Sequence, residues 1–376
     1  MTDLTPLVRD RGVVICCGSG GVGKTTTAAV LALEGARLGR NACVVTIDPA
    51  KRLANALGLD QLSDTPSEID PSRWRTAASA PGGRLSALML DTKSTFDNLV
   101  VRNAESPEQA RRILDNTFYR NVSGALGGTQ EYMAMEKLHE LHDAGGFDLI
   151  VVDTPPTRHA LDFLDAPRRL TRLLDNRVFR LLMMPTRAYL RVASIAVQTF
   201  LRTVSKVVGS EVVEDVIAFF RAFEGMEEGF RERAAAVERL LADPDTAFVL
   251  VTSPRRDAVE EATYFAQRLT DHAQKVEALI VNRVHPSFGD ESPEGLRARA
   301  RELVEHPGAD PKAAERLAAC YDNLADLREI ATRERHHLDG LRDRIGSGST
   351  TYVPYLAHDV YDFDALSEVG RALFAR

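Results

Sequence analysis

The chain alternates short apolar runs with longer stretches of helical periodicity. Val13-Val14-Ile15-Cys16-Cys17 opens the series, and further runs lie at 42–47, 85–90, 147–152, 247–252, 277–282 and 350–356. Each is close to continuously hydrophobic rather than alternating, which suits strands covered by helices on both faces. Residues 25–38, directly after the first run, carry an Ala/Leu-rich helical pattern. Strands alternating with helices in this way predict an α/β fold, a doubly wound and mostly parallel sheet, with 1–376 read as one domain. Two sections break the alternation and read as helical insertions. The first, 166–242, contains the apolar and basic stretch VFRLLMMPTRAYLRVASIAVQTFLRTVSKVVG; the second, 285–345, is polar. Within the first, Met183, Met184, Phe200, Phe219 and Phe220 could line an adaptable groove for a hydrophobic helix. Apolar residues at helical spacing are more often a core closed on itself, and that is the favoured reading.

Composition narrows the partners. The chain has 376 residues, 44% of them hydrophobic and 27% charged, enough for one large α/β core or two ordinary domains. The Met-Thr-Asp start lacks a basic region followed by an apolar run, and no stretch approaches the roughly 18 apolar residues that span a bilayer. A cytoplasmic protein is expected. The 47 basic residues against 54 acidic ones, a net charge of −7, argue against a chain whose main task is to cover nucleic acid or anionic membrane. Cys16, Cys17, Cys43 and Cys320 form no CxxC pair and no His/Cys cluster, so they read as small apolar residues of buried strands and one helix.

The chemistry begins where the first apolar run ends. Gly18-x-x-x-x-Gly23-Lys24-Thr25 follows a predicted strand and opens a predicted helix, the context that separates a phosphate-binding P-loop from a mere glycine-rich turn. Glycines let successive backbone N–H groups turn inward around a β-phosphate, and the helix N-terminus adds favourable partial charge. Gly20, Gly21, Val22, Gly23, Lys24, Thr25 and Thr26 are therefore the expected nucleotide-binding residues. Lys24 would bridge the β- and γ-phosphates, and the Thr25 hydroxyl would bind Mg2+. Such a loop needs acids to hold magnesium and place the attacking water. Asp48, after Val44-Val45-Thr46-Ile47, and Asp153, after Leu149-Ile150-Val151-Val152, each end an apolar run, and ligands of doubly wound sheets lie at the carboxyl ends of the strands. Asp153 is the candidate magnesium-side acid, acting through water; Asp48 is the better candidate for orienting the attacking water. A turn-forming role remains the alternative for both.

These residues resemble a family. Gly20-Gly21-Val22-Gly23-Lys24-Thr25-Thr26-Thr27, Asp48-Pro49-Ala50 and Asp153-Thr154-Pro155-Pro156-Thr157-Arg158-His159-Ala160-Leu161 are similar to the arsenical-pump (ArsA) ATPases and the related ATPases that target tail-anchored membrane proteins. Val281-Asn282-Arg283-Val284 and Val353-Pro354-Tyr355-Leu356 extend the likeness over nearly the whole chain outside the two insertions. The resemblance implies ATP as substrate and a nucleotide-sandwich dimer, with switch I beginning at Asp48 and switch II at Asp153. It implies that Asp48 positions water and that His159 relays the nucleotide state; a helix residue satisfied by its neighbours is the alternative for His159. It further implies that Asn282 recognises adenine, its amide offering the base edge one donor and one acceptor, and that Pro354 packs against the base.

Three departures from the family pattern matter. Ser19 stands where the family has a second lysine, five residues before Lys24; the paired metal-binding cysteines and the mid-chain arsenite-site cysteines are missing; and Arg158 replaces a small glycine in switch II. The leading expectation is an ATP-hydrolysing dimer that works on a hydrophobic client protein or a membrane partner. A regulatory nucleotide-binding subunit with little hydrolysis of its own comes second. An arsenite-pump subunit lacks thiol ligands, a P-loop kinase lacks a marked acceptor site, and a division-site membrane ATPase would want a basic amphipathic end in place of the mixed Asp362-Phe363-Asp364-Ala365-Leu366. Because a serine brings no charge and is too short to cross an interface, the dimer partner is expected to be a paralogous ATPase subunit that keeps the lysine. A homodimer in which Arg158 or another base substitutes is the alternative.

Overall fold

Continuous apolar runs can be buried on both faces only if each strand has neighbours on both edges and helices above and below. The computed structural model, which describes residues 3–47, 52–59, 61–122, 129–155, 162–175, 210–306, 310–346 and 348–374, meets that demand with one eight-stranded sheet. The strands are β1 (Val13–Cys17), β2 (Asn41–Thr46), β3 (Ser67–Glu68), β4 (Arg84–Met89), β5 (Leu149–Asp153), β6 (Thr246–Thr252), β7 (Val276–Val284) and β8 (Ser349–Pro354). Their order is β3-β4-β2-β5-β1-β6-β7-β8. All pairings are parallel except β3 with β4, which is antiparallel. The seven expected runs are the seven parallel strands. The pattern missed β3, because two exposed polar residues at a sheet edge carry no hydrophobic signal.

Alternation along β1 shows how the layers form. Val14 and Cys16 face a core shared with the helices Thr5–Asp10, Lys24–Arg37 and Phe363–Leu373; Val13, Ile15 and Cys17 face a second core built with Thr129–Asp143, Glu227–Ala242 and Arg256–Asp271. Cys16, Cys17 and Cys43 lie buried in β1 and β2, as their apolar setting in the sequence suggests, whereas Cys320 is exposed on the helix Pro311–His337. Burial pushes the Cys17 and Cys43 thiols up to about 12, so both stay protonated at neutral pH.

The regular elements among the described residues of the two sections without strand signals are helices. Asp162–Asp175, Ser210–Ala222 and Glu227–Ala242 fall in or across the first; Pro293–Glu305, Pro311–His337 and Asp339–Ile345 make up the second. A third core joins the first of these sections to the helices Thr92–Asn103, Pro107–Leu114 and Thr117–Val122. Phe219 is buried there, stacked on Tyr119 at 5.9 Å and edge-on to Phe223 at 4.9 Å, with Phe220 beside it. Phe219 thus belongs to a closed helical core; Met183, Met184 and Phe200 lie outside the described residues. No helix among the described residues is long and apolar enough to cross a membrane.

Trp74, the only tryptophan of the chain, is buried with its indole N–H donating to the Ile69 carbonyl at 3.2 Å, which makes its emission a reporter of the fold. Leu31, fully buried on the helix Lys24–Arg37, packs in the same core. Leu31→Ala is expected to cost about 2–5 kcal/mol, the range for leucine truncation in a tight core. A urea titration followed by Trp74 emission checks this, and an unchanged midpoint would contradict the packing described.

Candidate functional site

The site is assembled at the carboxyl end of the central strand β1. There the chain must leave the sheet and start a helix without covering the helix's first N–H groups, and glycine geometry makes this possible. Gly18 has φ +150° and a Cβ at that position would run into the Val251 carbonyl oxygen; Gly23, the N-cap of Lys24–Arg37, has φ +99° and a Cβ there would meet the Asn282 amide nitrogen. Only glycine accepts both the left-handed backbone and the contact. The helix therefore presents its free N–H groups and the positive end of its dipole to the loop's concave side, a ready anion site.

Two side chains follow from that start. Lys24 is buried, and its ammonium donates to the Ser19 carbonyl oxygen at 2.8 Å, folded back along the loop. Thr25, one residue on, donates its hydroxyl to Asp153 Oδ2 at 2.7 Å. Asp153 ends β5 and is only 1% exposed. Its register sets it between Cys16 of β1 and Thr46 of β2, and the Thr46 hydroxyl donates to the same Oδ2 at 3.0 Å. The next residue, Thr154, closes the corner by donating to the Cys16 carbonyl at 2.7 Å. Thr46 was missed in the sequence, yet a hydroxyl inside an apolar strand two positions before Asp48 is a legible signal, since alternate strand residues share a face.

Hydroxyl and carboxylate oxygens are the hard donors that Mg2+ takes. Among the described residues no group of three or more His, Cys, Asp or Glu could cage a metal by itself. One carboxylate and one hydroxyl beside a phosphate cradle suit an ion that keeps its waters and completes its shell with substrate phosphates, so Thr25 and Asp153 fit magnesium in that mode.

Beyond the loop opens a pocket of about 610 Å3, lined by Gly21, Gly23, Lys24, Thr25 and Thr26 of the loop and its helix and by Asn282, Arg283 and Pro354. Asn282 donates through Nδ2 to the Val22 carbonyl at 2.8 Å and accepts the Arg283 N–H at 2.9 Å. The second amide hydrogen and second lone pair remain to face a ligand. Tyr355 and Tyr361, both well exposed, border the same pocket and were not singled out from sequence. The structure thus brings Lys24, Thr25, Thr26 and the loop glycines together with Asn282 and Pro354, with Asp153 hydrogen-bonded beneath Thr25. Asp48, Arg158 and His159 lie outside the described residues.

The sequence profile of the anion-transporting ATPases matches residues 11–305, more than half of the chain. The chain belongs to that family. It is 28% identical over 324 residues to an uncharacterised protein of Streptomyces coelicolor, covering 81% of this chain and 74% of the relative. It is 25% identical over 330 residues to the ATPase GET3 of Eremothecium gossypii, covering 80% and 82%. It is 30% identical to the ATPase GET3 of Malassezia globosa over 162 residues, a shorter match covering 43% of this chain and 44% of that one. The chain is an ATPase of this family, with a P-loop α/β fold.

Because Gly23 is held both by its positive φ and by the Asn282 amide, Gly23→Ala is expected to cost about 1–2 kcal/mol from the left-handed backbone alone. The clash with Asn282 adds to this, so Asn282→Ala in the same chain should recover only part of the loss. Urea midpoints of the single and double variants measure the two contributions, and a Gly23→Ala protein as stable as the wild type would refute the geometry.

Proposed function

We propose that the chain binds Mg-ATP in the P-loop pocket, hydrolyses it, and couples the nucleotide cycle of a dimer to work on a hydrophobic client protein or a membrane partner, in the cytoplasm. The observation that carries the catalytic part is the Thr25 to Asp153 hydrogen bond at 2.7 Å at the mouth of the loop, beside the buried Lys24. The partner-directed part rests on the resemblance to pump and targeting ATPases.

In this reading Lys24 leaves the Ser19 carbonyl for the β- and γ-phosphates, because a charge-assisted bond to a phosphate oxygen is stronger than one to a neutral carbonyl. The loop N–H groups and the helix N-terminus hold the β-phosphate in place. Thr25 and Asp153, the latter through water, hold Mg2+, which when bound draws charge off the phosphate oxygens. Asn282 reads the adenine edge with its remaining donor and acceptor, and Pro354 packs on the base. Asp48 orients the attacking water, and His159 passes the phosphate state to switch II.

A second reading is favoured by one observation. Ser19 is 6% exposed and carries no charge at the position of the family's second lysine. A lysine-bearing paralogue paired with this chain would complete the site from across the interface, and this chain would then act as one half of an asymmetric heterodimer, hydrolysing little alone.

Lys24→Ala is expected to abolish most ATP binding, whereas Asp48→Asn should bind normally and turn over about 100-fold or more slowly, the scale of losing a positioned acid-base group. Nucleotide titration and phosphate release on the two purified variants check this split. Wild-type affinity in Lys24→Ala would refute the P-loop assignment, and unchanged turnover in Asp48→Asn would move the water-orienting role elsewhere. Arsenite and antimonite are expected not to stimulate turnover; a robust rise in phosphate release on adding either one would require a metalloid site.

A further inference from the structure

The nucleotide pocket has a cation at its rim that the P-loop motif does not call for. In a regular strand Asn282 and Arg283 would point to opposite faces. Here the pairing of β7 with β8 shifts register between Val281 and Val284, and Arg283 takes φ +60°. That bulge re-aims both side chains onto one loop: Asn282 Nδ2 reaches the Val22 carbonyl, and Arg283 Nη1 reaches the neighbouring Gly21 carbonyl at 3.3 Å. Bulges of this kind gather next to active sites because they redirect a side chain.

The backbone state is unfavourable for any residue but glycine, and the contact obtained for it is a long one. Glycine at 283 would hold the same bulge without strain, so the fold alone does not explain an arginine there. Nor is its charge used locally. Among the described residues no carboxylate pairs with Arg283, although neighbouring basic side chains are engaged: Arg255 with Asp257 at 2.6 Å and the His285 ring with Glu334 at 2.7 Å. Arg283 is exposed and lines the pocket that holds Lys24 and Thr25. It also lines a second pocket of about 460 Å3, on the side of the loop where Ser19 lies.

We infer that Arg283 supplies, from the same chain, the positive charge that position 19 lacks: its guanidinium moves from the Gly21 carbonyl onto the phosphates of the bound nucleotide and stabilises the charge that develops as the γ-phosphoryl group transfers to water. In that transfer the bond between the β,γ-bridging oxygen and the γ-phosphorus breaks, water oxygen bonds to phosphorus, one water hydrogen stays on the inorganic phosphate and the other is released to solvent as a proton, and the bridging oxygen leaves with ADP; Arg283 donates hydrogen bonds throughout and exchanges no proton. A guanidinium is suited to this, with a fork of donors that matches phosphate oxygens and a charge that persists at every working pH. A chain so equipped does not need a lysine-bearing partner.

The inference rests on the ATP-hydrolysing reading, and the experiment keeps the two apart. ATP affinity, kcat for phosphate release and thermal midpoint are measured on the full-length wild type alone and on Arg283→Ala, Arg283→Gly and Arg283→Lys. The wild type should turn over unaided. The Ala and Gly variants should lose about 100-fold or more in kcat, the lower range for loss of a preorganised charge in phosphoryl transfer, while binding ATP nearly as well. The Lys variant should fall between, and Arg283→Gly should melt no lower than wild type, since the left-handed backbone then costs nothing. Turnover of the Ala and Gly variants within about threefold of wild type overturns the inference, as does a loss lying entirely in ATP affinity. So does a wild type that binds ATP but stays idle until a lysine-bearing paralogue is added. A wild type that binds no ATP overturns the ATP-hydrolysing reading itself, and this inference with it.

Discussion

One buried carboxylate organises the structure around the glycine loop. Asp153 is removed from water at the end of β5, and a buried charge is tolerated only where hydrogen bonds replace its hydration. Thr25 and Thr46 both donate to it, one from the helix that follows the P-loop and one from the adjacent strand β2. The parallel register that sets Asp153 level with Cys16 on one side and Thr46 on the other is what allows both bonds to form. A slip of one residue in either pairing would turn the carboxylate to the other face of the sheet. Strand order, helix start and acid position are thus one constraint seen from three sides.

The contact between the loop and β7 depends on close approach. Gly23 has no Cβ, so the Asn282 amide can sit against the loop and hold the Val22 carbonyl; that contact ties β7, far along the chain, to the turn after β1. The bulge between β7 and β8 then frees Asn282 and Arg283 from the ladder and delivers both to the same loop. Asp153 from β5 and Asn282 and Arg283 from β7 thus approach the glycine loop from strands on the two sides of β1.

Those helical sections show where pattern reading loses resolution. Methionines and phenylalanines at helical spacing describe a groove and a core equally well, because periodicity states which face is apolar but not what covers it. For Phe219 the cover is visible: Tyr119 and Phe223 close around it, joined by Phe220 and Phe230 in the same cluster. The edge strand β3 was illegible for the opposite reason, since its two residues pair by backbone alone and expose polar side chains.

By itself the sequence determined the seven parallel strands, the loop with its lysine and threonine, the acid at the end of β5 and the family. These are local: a continuous apolar run, a glycine spacing or an aspartate after a strand keeps its meaning wherever the strand lies in the sheet. Only the tertiary structure decided that Thr46 shares the Asp153 carboxylate, that Asn282 braces the loop at Val22, and that Arg283 is turned onto Gly21. Each of these joins segments distant in the chain, and each depends on strand register or on a bulge. No periodicity encodes such a relation, because it arises when hydrogen-bonded neighbours in the sheet are chosen, after every strand has already been specified.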